Sequence, residues 1–144
     1  MYEFYVGTTP KDPPGNIVKV CLDSDGQLVD KSYYEAVSPA YLCRKGSCIY
    51  AVIENADFGG VQVFDVNKNG SLTAKARLDT EDVYSTYISA EKRGNRIFVA
   101  NYGTPSCAVY RYEAEKLVQE SVLREKKTEK SHIHCAALTP EEAY

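Results

Sequence analysis

The stretch Ile49-Tyr50-Ala51-Val52-Ile53-Glu54-Asn55, followed by Gly59-Gly60, Val61-Gln62-Val63-Phe64-Asp65-Val66 and Asn69-Gly70-Ser71-Leu72, decides the fold because its pattern recurs. Downstream, Ile97-Phe98-Val99-Ala100-Asn101-Tyr102-Gly103 leads to Cys107-Ala108-Val109-Tyr110-Arg111-Tyr112 and Glu115-Lys116-Leu117. Upstream, Phe4-Tyr5-Val6-Gly7 passes through a Pro/Gly loop ending at Gly15, then Ile17-Val18-Lys19-Val20 and Asp25-Gly26-Gln27-Leu28. Leu28, Leu72 and Leu117 hold equivalent places in these units. The period is about 45 residues, the length of a four-stranded propeller blade.

Each unit also obeys the strand rules. Val61, Val63 and Asp65 alternate with Gln62, Phe64 and Val66, β-branched and aromatic residues are abundant, and Asp25-Gly26 and Asn69-Gly70 supply the positive φ of tight turns. Leu72–Leu78 and Leu117–Leu123 read as outer strands. Ser38–Leu42, Tyr84–Ile88 and His132–Ala136 read as innermost strands, so Tyr41, Tyr87 and His134 take the same place in three successive blades. A β-sandwich also uses many short strands, but it has no need for one recurring four-strand unit. The fold class is therefore all-β: a partial β-propeller of about two and three-quarter blades. The first blade occupies 1–36, the second 37–80, the third 81–125, and 130–144 starts a fourth. A ring needs about four to eight blades, so the sequence reads as a truncated propeller whose exposed blade faces favour self-association.

Composition removes several classes of function. With 17 Lys and Arg against 20 Asp and Glu, the net charge of −3 provides no basic field for nucleic acid. The one dense charge run, Arg124–Lys130, interleaves Glu with Lys and reads as a solvated loop. Cys21, Cys43, Cys48, Cys107 and Cys135 are odd in number and lack paired ligand spacing, which argues against zinc or a disulfide framework. They read as reduced, small apolar residues. No apolar run is long enough to cross a bilayer and no signal peptide is visible, so the expected setting is the cytoplasm without membrane contact. Neither G-x-G-x-x-G nor a P-loop lysine motif is present.

The strings SPAYLCRKGSCIYAVIENADFGGVQVFDV, RIFVANYGTPSCAVYRY and SHIHCAALTPEEAY together resemble the 6-phosphogluconolactonase family of seven-bladed propellers. The resemblance covers essentially the whole chain. It implies a cytoplasmic hydrolase that opens a sugar-acid δ-lactone, typically 6-phosphogluconolactone in the pentose phosphate route, with no metal or other cofactor. Two departures accompany it. The family's early Gly-Thr-Tyr-Thr loop reads Gly7-Thr8-Thr9-Pro10 here, and its Asp-Leu-Gly element with a nearby Arg would fall after Tyr144. Little activity is therefore expected from these 144 residues alone.

Strand direction places the candidate chemistry. Loops before a first strand and after a second strand share one face of a propeller, so His132, His134, Glu54, Asn101 and Tyr102 should gather at one rim. Arg44, Lys45 and Arg96 should lie at the opposite face. Lactone hydrolysis needs a base to activate water and donors for the oxyanion. His134 is the first candidate for base or proton shuttle, since imidazole ordinarily titrates near working pH, and Glu54 is the second. His132, Asn101 and Tyr102 are the candidate contacts to a small sugar-lactone substrate. A different class of reading is a non-catalytic propeller that binds protein, although the Trp-Asp dipeptide of common interaction propellers is missing because the chain has no Trp.

Overall fold

The structure is a computed structural model that describes residues 1–9, 15–126 and 131–139. The Pro-rich loop at 10–14, part of the charged run at 127–130 and the start of another second strand at 140–144 lie outside the described residues. Eleven strands and no helix appear among the described residues. Strands β1 (Tyr2–Gly7), β2 (Gly15–Leu22) and β3 (Leu28–Ala36) form a three-stranded sheet. Strands β4 (Leu42–Lys45), β5 (Cys48–Val52), β6 (Gly59–Val66) and β7 (Leu72–Thr80) form a second sheet, and β8 (Ser85–Ala90), β9 (Arg96–Asn101), β10 (Ser106–Glu113) and β11 (Lys116–Arg124) a third. Every sheet is antiparallel with strands in sequence order, the meander of a propeller blade. The repeat leucines mark outer strands: Leu28 and Leu72 begin β3 and β7, and Leu117 is the second residue of β11.

Two core layers explain why the middle unit reads as nearly continuous apolar sequence. Tyr50, Val52, Val61 and Val63 point one way and pack with Ile88, Ile97, Val99, Ala108 and Tyr110 of the third sheet. Ile49, Ala51 and Phe64 point the other way and pack with Ile17 and Ala36 of the first. Alternate residues of a strand face opposite sides, so a sheet covered on both faces needs apolar residues at both parities. Gln62 sits in the same layer as Phe64 with both amide atoms used: it accepts from the Val37 N–H at 2.8 Å and donates to the Val37 carbonyl at 2.9 Å. Tyr5 Oη and Lys19 Nζ donate to the carbonyls of Gly70 and Asn69, tying the first sheet to the β6–β7 turn.

The strand bounds correct two expectations. The inner strand of the second sheet begins at Leu42 rather than Ser38, because Ser38 has φ 39° and Pro39 lacks an N–H for the ladder. His132–Ala136 forms no strand. It lies against the third sheet through a hydrogen bond from Ser89 Oγ to the Ala136 carbonyl at 2.9 Å. The expectation that all five cysteines act as small apolar residues also fails at one position, since Cys135 is exposed. Burial pushes the thiols of Cys43 and Cys107 above the ordinary range, as apolar packing should.

Sheet contact depends on Gly59. A Cβ there would overlap the Asp82 carbonyl oxygen and lie 2.5 Å from Ser85 Oγ, both in the chain that enters the third sheet. Gly59→Ala is therefore expected to cost about 1–3 kcal/mol, the usual range for overpacking, read as a lower urea midpoint at unchanged m. An unchanged midpoint would show that the two sheets slide apart freely.

The third repeat turns without the Asn-Gly that serves the second. Ala114 (φ 50°) and Glu115 (φ 60°) span the two-residue connection between Glu113 and Lys116, and both adopt the left-handed conformation that costs L-residues about 1–2 kcal/mol each. Replacing them by Asn-Gly is expected to stabilise the fold by about 1–2 kcal/mol. The exposed Lys75–Glu115 pair lost in the exchange contributes little, and Asp65 still lies 3.5 Å from Lys75. Calorimetry should show a raised Tm.

Candidate functional site

Two left-handed residues shape the rim. Ser38 (φ 39°) and Tyr84 (φ 52°) precede the inner strands of the second and third sheets. This conformation turns their carbonyls toward the chain leaving the adjacent second strand. The Ser38 carbonyl accepts from the Glu54 N–H at 3.1 Å, and the Tyr84 carbonyl accepts from the Tyr102 N–H at 2.8 Å. The Tyr84 N–H in turn donates to the Asn55 carbonyl at 2.9 Å, joining the two blades at this end. Backbone that would otherwise be loop is thereby fixed, and with it the start of each side chain.

An open groove of about 370 Å³ results, lined by Glu54, Tyr84, Thr86, Tyr102 and His134. Glu54 and Tyr102 are half-buried, while His134 is exposed on the segment that follows the third sheet. The His134 ring meets the Tyr102 ring edge-on, with centroids 4.7 Å apart and planes at 68°. His132 stacks flat on the same Tyr102 ring at 3.9 Å and 4°. A carboxyl group, an imidazole, two phenols and an aliphatic hydroxyl thus converge on one groove. This set can hydrogen-bond a polyol and move a proton at one of its carbons or oxygens.

Three of the five residues named from sequence, Glu54, Tyr102 and His134, line the groove, and His132 stands beside it. Asn101 is a correction. It is 0% exposed, and its amide is consumed: Ser85 Oγ donates to Oδ1 at 2.7 Å and Nδ2 donates to Ser106 Oγ at 2.9 Å. The Gly60 N–H donates to the same Ser85 oxygen at 3.0 Å, so a buried polar chain runs from the second sheet into the third. Asn101 faces the interior between blades, sealed from solvent. Tyr84 and Thr86 were missed because Tyr84–Ile88 reads as an inner strand, although the rule placing residues before a first strand at the rim would have found Tyr84. Tyr41 and Tyr87 pack against each other with centroids 4.6 Å apart.

Among the described residues, no lysine or arginine lines the groove. Arg44 Nε donates to the Gly46 carbonyl, Lys45 to the Gly94 carbonyl, and Arg96 pairs with Glu91 and Glu120, all in the hairpins at the other ends of the strands. A larger cavity of about 700 Å³ lies at the outer edge between β7 and β11, where Arg124 pairs with the buried Asp82. It is lined by carboxylates but neither histidine. The smaller groove is therefore the candidate site. Among the described residues, no three or more His, Cys, Asp or Glu side chains come together in a metal-binding group, and no helix is long and apolar enough to cross a membrane.

Comparison with known proteins accords with this architecture. A 6-phosphogluconolactonase of Bacillus subtilis is 28% identical over 99% of the chain. An uncharacterized Staphylococcus epidermidis protein is 24% identical over 97%. The chain spans only about 45% of the length of these curated relatives. Crystal structures of a Lactobacillus plantarum protein and of a candidate 6-phosphogluconolactonase from Bacteroides fragilis superpose with TM-scores of 0.74 and 0.78. They match at 19% and 23% identity and cover 95% and 96% of this chain, but 43% and 42% of theirs, and they show the shared fold. The model of the family described as lactonase, 7-bladed beta-propeller, matches residues 3–144, and the chain belongs to that family.

Proposed function

We propose that this chain supplies one wall of a site that hydrolyses a sugar-acid lactone, with 6-phosphogluconolactone, of the pentose phosphate route, as the substrate. The observation that carries the reading is the convergence of His134, Glu54 and Tyr102 on one groove in a lactonase-family propeller. In this reading water attacks the lactone carbonyl while His134 takes its proton. The tetrahedral oxyanion then collapses, the ring C–O bond breaks, and the imidazolium returns the proton to the departing ring oxygen, leaving the open-chain acid. Glu54 orients the water or accepts from substrate hydroxyls. Tyr84, Thr86 and Tyr102 contact the polyol. Among the described residues no cation lines the groove, and the oxyanion or phosphate needs one; in this reading it is carried in the additional length that the relatives have. Free cysteines fit a reducing compartment, so the reading includes a cytoplasmic setting.

The test is a titration of the isotope-labelled chain with gluconate, an unphosphorylated product analogue, alongside a lactone-hydrolysis assay. Shifts confined to Glu54, Tyr84, Thr86, Tyr102 and His134 are the expected result. Binding elsewhere, or none together with no hydrolysis in a ring completed with the remaining sequence of the Bacillus subtilis relative, would remove the proposal.

A further inference from the structure

His132 makes two contacts with one residue, and together they fix its chemistry. Its Nδ1 lies 3.0 Å from the Tyr102 carbonyl oxygen. A carbonyl oxygen only accepts, so Nδ1 carries a proton and the lone pair of the neutral ring resides on Nε2. The same imidazole lies flat on the Tyr102 ring at 3.9 Å and 4°, so ring and carbonyl of Tyr102 are held by a single side chain. The Tyr102 N–H is already bound to the Tyr84 carbonyl. Tyr102 is thus gripped at its amide, its carbonyl and one ring face.

A second aromatic contact of the Tyr102 ring is with His134, edge-on at 4.7 Å. His134 belongs to a segment with no strand ladder, and on either side of it stand His132, bound to Tyr102, and Ala136, bound to Ser89. The tether and the ring contact therefore set where the His134 imidazole is presented. His132 itself is not among the residues lining the groove.

We infer that His132 is a positioning residue, held as the Nδ1-protonated tautomer, that clamps Tyr102 and through it orients His134 toward the groove. It neither binds substrate nor exchanges a proton at Nδ1. Only the significance of His134 rests on the lactonase reading; the clamp stands on the ring geometry. The chain contains two histidines, which makes the test direct.

Long-range proton–nitrogen spectra of the labelled chain at a pH of about 8, above the ordinary histidine range, should show His132 protonated at Nδ1 and bare at Nε2. The Tyr102 ring protons should be shielded by the stacked imidazole. His132→Ala should abolish that shielding and shift the His134 ring signals, with the Val99 and Ile88 methyl signals unchanged as a control for folding. His132→Phe, which restores a flat ring without the hydrogen bond, should return the shielding and most of the His134 shift. An Nε2-protonated His132, an unshielded Tyr102, or His134 signals that stay fixed in a folded His132→Ala protein would overturn the inference. Should His132→Ala unfold the chain, the wild-type tautomer and the Tyr102 shielding decide it alone. The gluconate titration separates the two ideas: no perturbation of the groove in the wild type overturns the lactonase reading while leaving the clamp intact.

Discussion

His134→Ala is expected to lower kcat/KM for lactone hydrolysis by about 10²–10⁴-fold, the range associated with removing a positioned acid–base group. The measurement belongs on the ring completed with the Bacillus subtilis relative's remaining blades, with the 144-residue chain alone as the low-activity reference. His134 is exposed and lies outside every sheet, so its truncation removes an imidazole without opening the core. The loss should fall on kcat with KM little changed, because a proton shuttle acts mainly in the transition state. Glu54→Gln is the partner measurement, since it retains the shape of a half-buried side chain while removing its charge. If His134→Ala leaves kcat/KM intact and Glu54→Gln abolishes it, the base is Glu54 and the proposed mechanism must be rewritten around the carboxylate. If neither substitution matters, the groove is not the reaction site.

Asn101→Ala is expected to destabilise the fold by about 2–4 kcal/mol. Its amide links Ser85 and Ser106, and all three residues are 0% exposed. Alanine removes the acceptor of the Ser85 hydroxyl proton and the donor to the Ser106 oxygen, each at about 1–3 kcal/mol, and leaves a cavity beside them. Part of that cost is recovered when Ser85 turns to another acceptor or water enters the space, which keeps the sum below the simple total. Asp, which presents acceptors to both serines, should recover part of the Ser85 bond but not the donor to Ser106. Denaturant unfolding gives the magnitude. Substrate affinity in the folded variant should match the parent, because Asn101 faces the interior between blades. A variant of normal stability and impaired binding would return Asn101 to the groove.

Much of the fold was legible because a propeller writes one unit repeatedly. Leu28, Leu72 and Leu117 mark the outer strands, while the structure shows the Ile49–Ile53 run to lie in a sheet covered on both faces. Asp25-Gly26 and Asn69-Gly70 mark turns in the first two units, with φ of 80° at Gly26 and 77° at Gly70. The third unit makes its turn with Ala114-Glu115, which no local propensity favours; there the pairing of β10 with β11 imposes the conformation. The same limit moved the start of β4. Ser38–Leu42 reads as one strand, and the left-handed Ser38 became visible only through the bond its carbonyl makes to Glu54.

The site divides in the same way. Sequence by itself determined the repeat, the rim to which Glu54, Tyr102 and His134 belong, and the separation of that rim from Arg44, Lys45 and Arg96, because strand alternation and direction follow from the order of residues. Tertiary structure alone decided which polar side chains at that rim face water. Asn101 and Tyr102 are adjacent in sequence, yet one is sealed between two serines and the other carries the groove. Asn101 ends β9 with its side chain on the face that the second sheet covers, whereas Tyr102 stands just past the strand, where its N–H is fixed by the Tyr84 carbonyl and, among the described residues, no blade covers it.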